Sequence, residues 1–286
     1  MSSADVVLAL PRRRYPGAFW RLYKGEVRLI LGRRRNEALL AVISIVPILI
    51  GIAVYVSTPR GGDGPPFLQQ ITGNGLFLVF TALTVCLPLF LPLIIGVVAG
   101  DSIAGEAGSG TLRYLLTLPV TRRRLLAAKT LGVLTYTAAA VLTVSLVGLI
   151  TGAVLFGLHD VTLLSGDTVS LANGLLRALG VAAYVIVALF GLASVGVFIS
   201  TLTENAIAAM ASTVGFAVFC LVLDAVPQLH AIHPILLTHN WLAFGELLRS
   251  SVDGTALVRW SLLHLSYAAL FLSLAYARLQ TKDITS

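Results

Sequence analysis

Three groups of residues have types and spacings that could support chemistry. The first is GEAGSGT, from Gly105 to Thr111, whose glycines are spaced like those of a phosphate-binding loop. Such a loop needs a lysine to reach the outer phosphates and a preceding strand to present it, but Thr111 stands in the lysine's place and an apolar run comes before. The segment is therefore not expected to bind nucleotide, and its glycines are read as a break in a long helix at a membrane surface. The second group is His230, His233 and His239. Their H-x-x-H-x5-H spacing does not put all three on one helical face, and Pro234 interrupts the run, so histidines exposed to water, without a metal, are the expectation. The third group is a set of charges near the ends of apolar runs. Asp224, Arg177 and Arg259 either form an ion pair or reach separately to the interface, with a substrate contact the least favoured role. Glu246 and Arg249 stand at i and i+3, the spacing of a local helical pair.

None of these completes a catalytic set. The chain has no His-Glu-x-x-His zinc signature, no Gly-x-Ser-x-Gly elbow and no pair of carboxylates on neighbouring apolar runs. The expected site therefore contains no catalytic residue, no bound cofactor and no metal.

The elements that would position these residues follow from composition. Hydrophobic residues make up 57% of the 286 and charged ones 12%, against roughly 45–50% and about 25% in an average soluble domain. That surplus must face lipid. The net charge of +7 sits beside apolar runs, so membrane orientation accounts for it and no nucleic-acid partner is expected. Six runs are long enough, or nearly so, to cross a bilayer: 39–56, 75–99, 130–156, 175–202, 207–226 and 256–279. They are continuous rather than alternating, which selects helices over a barrel. The fold class is an all-α integral membrane protein with six transmembrane helices. Pro47, Pro88 and Pro92 lie within spans and are expected to bend them. Cys86 and Cys220 also lie in apolar runs, which indicates no disulfide framework. Hydroxyls within spans, such as Thr81, Thr84, Thr143, Ser145 and Ser194, read as packing residues rather than as a pathway.

Two parts result: an N-terminal arm (1–36) and a six-span transmembrane domain (37–286). In the arm, AFWRLYKGEVRLIL places Phe19, Leu22, Val27, Ile30 and Leu31 on one side and Arg21, Lys24 and Arg28 on another. This is the pattern of an amphipathic helix lying in the interface, with Trp20 and Tyr23 at headgroup level. The arginines of MSSADVVLALPRRR follow a short apolar patch instead of preceding a long one, so no cleavable signal is expected. Arg33, Arg34 and Arg35 precede the first span, where anionic headgroups attract them. Of the 20 lysines and arginines, sixteen fall on the side that holds the arm and four on the other. The positive-inside rule then puts both termini in the cytosol of a multi-pass protein of the cell's inner or plasma membrane. The connection 227–255 is half apolar, in PILLTHNWLAFGELL, and reads as a re-entrant or interfacial helix pair between spans five and six.

One polar stretch, 101–129, separates spans two and three. Its part EAGSGTLRYLLTLPVTRRRLLAAK resembles the segment after the second span in permeases of the ABC type-2 transporter family. Glu106, Gly110, Thr111, Leu112, Leu115, Leu116, Pro119, Val120, Thr121, Arg122 and Lys129 carry the likeness. Many members have a second acidic residue beside the glutamate, where this chain has Gly105 and Ala107. The resemblance implies a short cytosolic coupling helix over 111–118, with Leu112, Leu115 and Leu116 on one side and Arg113 and Tyr114 displaced from it. Leu112, Leu115 and Leu116 would enter a cleft on an ATPase while Glu106 and Arg122 make charged contacts at its rim. Pro119 would end the helix and Thr121 would cap the next. The resemblance also implies a separate ATPase subunit holding ATP and Mg, and a second permease chain, identical or not. Spans one, two and five would line the pathway or the dimer seam. The exported cargo would be hydrophobic or amphipathic, such as a drug, antibiotic or lipid. A scaffold or sensor subunit that moves no solute, or more remotely a secondary transporter, is the alternative.

The topology is open to test. A reporter fused to the C-terminus is expected to react only from the cytosolic side, and labelling from outside intact cells would reverse the assignment.

Overall fold

In a computed structural model, residues 17–57, 73–111, 121–163 and 165–281 are described. Helix α1 (Ala18–Leu31) is followed by α2 (Arg34–Ser57), α3 (Phe77–Cys86), α4 (Phe90–Gly108) and α5 (Arg122–Phe156). After a two-stranded ribbon come α6 (Leu171–Leu202), α7 (Ala206–Asp224) and α8 (Gly254–Thr281). Among the described residues, six helices are long and apolar enough to cross a membrane: α2 and α4 to α8. The protein is thus an α-helical, multi-pass type of chain. The ribbon is a small departure from all-α: Val161–Thr162 pairs antiparallel with Thr168–Val169.

The prolines act unequally. Pro88 lies in a break at residues 87–89 that divides the second apolar run into α3 and α4. Pro92 sits in the first turn of α4, where its missing N–H has no intrahelical partner to lose. Helix α2 stays helical through Pro47.

Helix ends lie well beyond the apolar runs. Helix α4 continues to Gly108 and α5 begins at Arg122. At 35 residues, α5 is about 52 Å long, against a hydrocarbon core of about 30 Å, so part of it must project. Asp101 and Glu106 are therefore helical residues, and Lys129 lies on the helix that Thr121 was expected to cap. The expected glycine break falls later than read: Gly105 is inside α4, and the chain turns at Gly110, whose φ of +69° favours glycine after a helix end. Thr121 caps α5 by accepting from the Arg124 N–H, as its position implied. The 201–205 connection is closed in the same way, with Asn205 Oδ1 accepting from the N–H groups of Ile207 and Ala208.

The core sits on α4 and α6, with 67% of the apolar stretch of each buried, whereas α2 and α7 have 22% and α8 11% buried. Small residues set the spacing. A Cβ on Gly100 would stand 2.6 Å from the Met210 nitrogen, and one on Gly196 would stand 2.6 Å from the Cβ of Ala99. At the opposite end Gly75 and Gly152 cross so closely that a Cβ on either would strike the other's carbonyl. Ser200 adds a polar link, its hydroxyl donating to Gly100 O at 2.6 Å and accepting from the N–H groups of Ile103 and Ala104. Thr81, Thr84, Thr143, Ser145 and Ser194 each donate to the carbonyl four residues earlier, so their hydroxyls are satisfied within their own helices.

The connection after α7 is not a pair of α-helices. It is a series of 3-10 segments, Pro227–Leu229, His233–Ile235 and Trp241–Leu248. Pro227 and Pro234 lack the N–H that an α-helical ladder needs at their positions. Leu237, Trp241, Phe244 and Leu248 are buried, and the segment packs on α6 and α8.

Gly152→Val should lower thermal stability in detergent by about 1–3 kcal/mol through overpacking. Gly215→Ala, where a Cβ meets nothing within 4 Å, should not lower it. Equal melting of the two variants would contradict the close crossing.

Candidate functional site

The charged residues of the extended helix ends assemble at one end of the bundle. Three cations (Arg33, Arg35, Lys129) meet three carboxylates (Glu26, Asp101, Glu106). Lys129 on α5 is only 2% exposed, and its ammonium lies 3.2 Å from Glu26 Oε1 on α1 and 2.6 Å from Glu106 Oε2 on α4. Asp101, five residues before Glu106 on α4, takes Arg35 at 2.8 Å and also Arg33. Asn36, fully enclosed, donates to Ile30 O at 2.7 Å while its own carbonyl accepts from the Tyr136 hydroxyl at 2.8 Å. The segment joining α1 to α2 is thus fastened to both α4 and α5.

Helix geometry explains why these side chains converge. On α1, Tyr23, Glu26 and Ile30 recur at i, i+3 and i+7, one face of a helix. Tyr23 shares a 2.8 Å hydrogen bond with Thr135, and Glu26 and Ile30 are buried. Helix α1 packs along α5, with the side chains of Arg21, Lys24, Arg28 and Trp20 exposed. Of the residues expected at the interface, Trp20, Lys24 and Arg28 are exposed, whereas Tyr23 is engaged with α5.

Two other contacts close this end. Arg122, the first residue of α5, donates to the carbonyls of Leu279 and Gln280 at the end of α8. A cation there satisfies carbonyls that the helix end leaves free. Gly108 lies so near the 203–205 turn that a Cβ would stand 2.6 Å from Glu204 O. An open groove beside it is lined by Ala104, Gly105, Gly108 and residues 204–207.

A family model described as "Protein of unknown function (DUF2705)" matches residues 41–285. The chain belongs to that family. No curated protein matches it. Within the DUF2705 match lie Asp101, Glu106 and Lys129, while Glu26, Arg33 and Arg35 lie ahead of it.

The expected site residues fare differently. Glu106 points inward to Lys129 rather than standing at an exposed rim, because an acidic residue on the packed face of α4 meets a lysine on the packed face of α5. Arg122 is engaged with the end of α8. Gly110 and Thr111 are at the turn, where the Thr111 hydroxyl bonds Glu106 O at 3.2 Å. Leu112, Arg113, Leu115, Leu116 and Pro119, and with them the expected coupling helix, lie outside the described residues. Arg33 and Arg35, expected beside anionic headgroups, also pair with Asp101.

At the opposite end Arg177 and Arg259 do not pair with Asp224. Arg177 donates to the carbonyls of Leu247 and Arg249, at 2.5 and 2.8 Å, and Arg259 stacks over Trp260. Glu246 and Arg249 do pair locally, at 3.4 Å. Glu26, Asn36, Tyr136 and His264 were not singled out from sequence. For Glu26 the signal was present, as a carboxylate on the Tyr23/Ile30 face. His264 is fully buried on α8 with its ring 6.3 Å from Tyr184, whose hydroxyl donates to Asn240 O. Its only sequence signal is a titratable group inside an apolar run.

Lys129→Met leaves two buried carboxylates without their cation and should destabilise the chain by about 3–5 kcal/mol. Adding Glu26→Gln and Glu106→Gln should recover most of that loss. Thermal unfolding of the single and triple variants reads the difference, and equal melting of both would remove the ion cluster from the stability of this end.

Proposed function

We propose that the chain is the membrane-spanning permease subunit of an ATP-driven exporter. ATP and Mg are held by a separate ATPase subunit that docks at the basic end, which faces the cytosol. A second permease chain completes the membrane part. The observation that carries this reading is the segment 106–129, whose sequence resembles the coupling region of ABC type-2 permeases. Its first and last matching residues, Glu106 and Lys129, are joined by the 2.6 Å ion pair. A force applied to the residues between them would reach α4 and α5 together, because both flanks of the segment are fixed to each other and to α1.

Three further features support the reading. Arg122 ties the return of the segment to the end of α8, so the sixth span is connected to the same point. The turn at Gly110 depends on a positive φ, which fixes how the segment leaves α4. Helices α2 and α7 keep most of their side chains outward, among them Val42, Leu49, Ile207 and Phe219, as a seam or a lipid-facing surface requires. The apolar spans suit a hydrophobic or amphipathic cargo.

The test is transport in sealed vesicles with the ATPase that co-purifies with the chain. ATP-dependent accumulation of an amphipathic dye or a lipid probe is expected. Gly110→Pro, which cannot adopt a φ of +69°, and Arg122→Glu, which sets a carboxylate against the α8 carbonyls, should insert normally and keep ATP hydrolysis while losing transport about 10-fold or more. Failure to recover any ATPase with the chain, or unimpaired transport in both variants, would overturn the proposal.

A further inference from the structure

At the end of the bundle remote from the ion cluster, Asp224, His233 and His239 come together. One potential ligand atom from each lies within 4.8 Å of the others. Asp224 is the last residue of α7, His233 opens the second 3-10 segment, and His239 precedes the third. His239 Nδ1 is 2.5 Å and His233 Nδ1 3.9 Å from the same carboxylate oxygen, Asp224 Oδ1. His230 is exposed and belongs to no such group. On a continuous helix the three histidines would not share a face. The 3-10 turns and Pro234 fold the chain back, so His233 and His239 share a site with a carboxylate that sequence spacing did not connect to them.

Two observations point to a cation rather than to a fortuitous cluster. The first is the setting of His233. Its Nε2 is 3.1 Å from Val226 O, and since a carbonyl can only accept, that nitrogen carries the proton in the neutral ring. Its Nδ1 then offers a lone pair on the side of Asp224, the arrangement by which a backbone carbonyl orients a ligating histidine. The second is the position of Asp224. A carboxylate at a helix C-terminus is repelled by the free carbonyls there. Among the described residues its ion-pair partners are the two histidines, because Arg249 is paired with Glu246 and Arg177 with backbone carbonyls.

We propose that Asp224, His233 and His239 bind a divalent transition-metal ion of the zinc class. Two imidazoles and one carboxylate suit such an ion, whereas calcium and magnesium prefer all-oxygen sets. Bonds of about 2.0–2.1 Å in tetrahedral geometry separate ligand atoms by roughly 3.3 Å. The present separations of 2.5 and 3.9 Å lie on either side of that value, so side-chain shifts within rotamer reach complete the site. The exposed edge of His239 leaves an approach for the ion and for a solvent ligand in the fourth position. Binding at His239 Nδ1 needs the lone pair of that nitrogen, so its proton moves to Nε2 of a neutral ring, or is released to solvent from an imidazolium, with no change of oxidation state. The bound ion would tie the end of α7 to the connection that leads to α8. The proposal concerns the opposite end of the bundle from the coupling segment and stands independently of the transport reading.

The experiment uses the full chain, without a histidine tag, purified in detergent, stripped with chelator and titrated with Zn2+ by calorimetry. One saturable site per chain is expected, with a rise in melting temperature that Mg2+ and Ca2+ do not produce. His233→Ala, His239→Gln and Asp224→Asn should each weaken binding about 10-fold or more, whereas His230→Ala should leave it unchanged. Co2+ bound to the wild-type chain gives a readout that needs no variant: intense visible bands of a tetrahedral site are expected. Absence of saturable Zn2+ binding, an octahedral Co2+ spectrum, or wild-type affinity in the His233/His239 double variant would overturn the assignment.

Discussion

A lysine ammonium closed off from solvent is tolerable only beside carboxylates, and Lys129 is the point on which the basic end of this bundle depends. Its partners come from two other helices, Glu26 on α1 and Glu106 on α4. Removing a buried charge from water costs several kcal/mol per ion, and the attraction between partners recovers it only when geometry and hydrogen bonds are good. Three cations therefore stand among three carboxylates, and the neighbouring Asn36 is satisfied by Ile30 and Tyr136. The contribution of such a network is to specificity of arrangement as much as to stability. Any other docking of α1 would leave Glu26 without its partner Lys129.

That constraint separates two kinds of packing within one molecule. Along the apolar length of the helices, contact is made by absence of side chain: Gly100 and Gly196 let α4, α6 and α7 approach, and Gly75 faces Gly152. Lipid supplies no hydrophobic drive between helices, so close van der Waals fit and a few hydrogen bonds must hold them. Ser200, reaching the backbone of α4, is one such bond. At the basic end, the helices project beyond the apolar runs and charged pairs take over.

The opposite end is built from backbone capture. Arg177 holds carbonyls of the 3-10 segment, Asn74 holds carbonyls of residues 159 and 160, and Tyr267 donates to Ile235 O. These contacts allow a connection with few α-helical hydrogen bonds to stay packed on α6 and α8. They also set His233 and His239 against Asp224, where a bound ion would neutralise the carboxylate.

The apolar runs and the one-sided distribution of lysine and arginine determined by themselves that this chain is helical and crosses a membrane several times. Lipid admits few backbone solutions, so hydropathy and length sufficed. The cap at Thr121 was legible for a similar reason, since it is decided by a side chain and the next three residues. The helix end at Gly108 was not, because polarity marks where lipid stops and not where a helix stops. Nor could sequence pair Glu26 with Lys129, 103 positions away, or turn Glu106 inward. Both follow from which faces of α1, α4 and α5 meet. Spacing alone also kept His233, His239 and Asp224 apart, and only the tertiary path of the 3-10 turns brought them together, because a chain that reverses direction erases the periodicity from which faces are read.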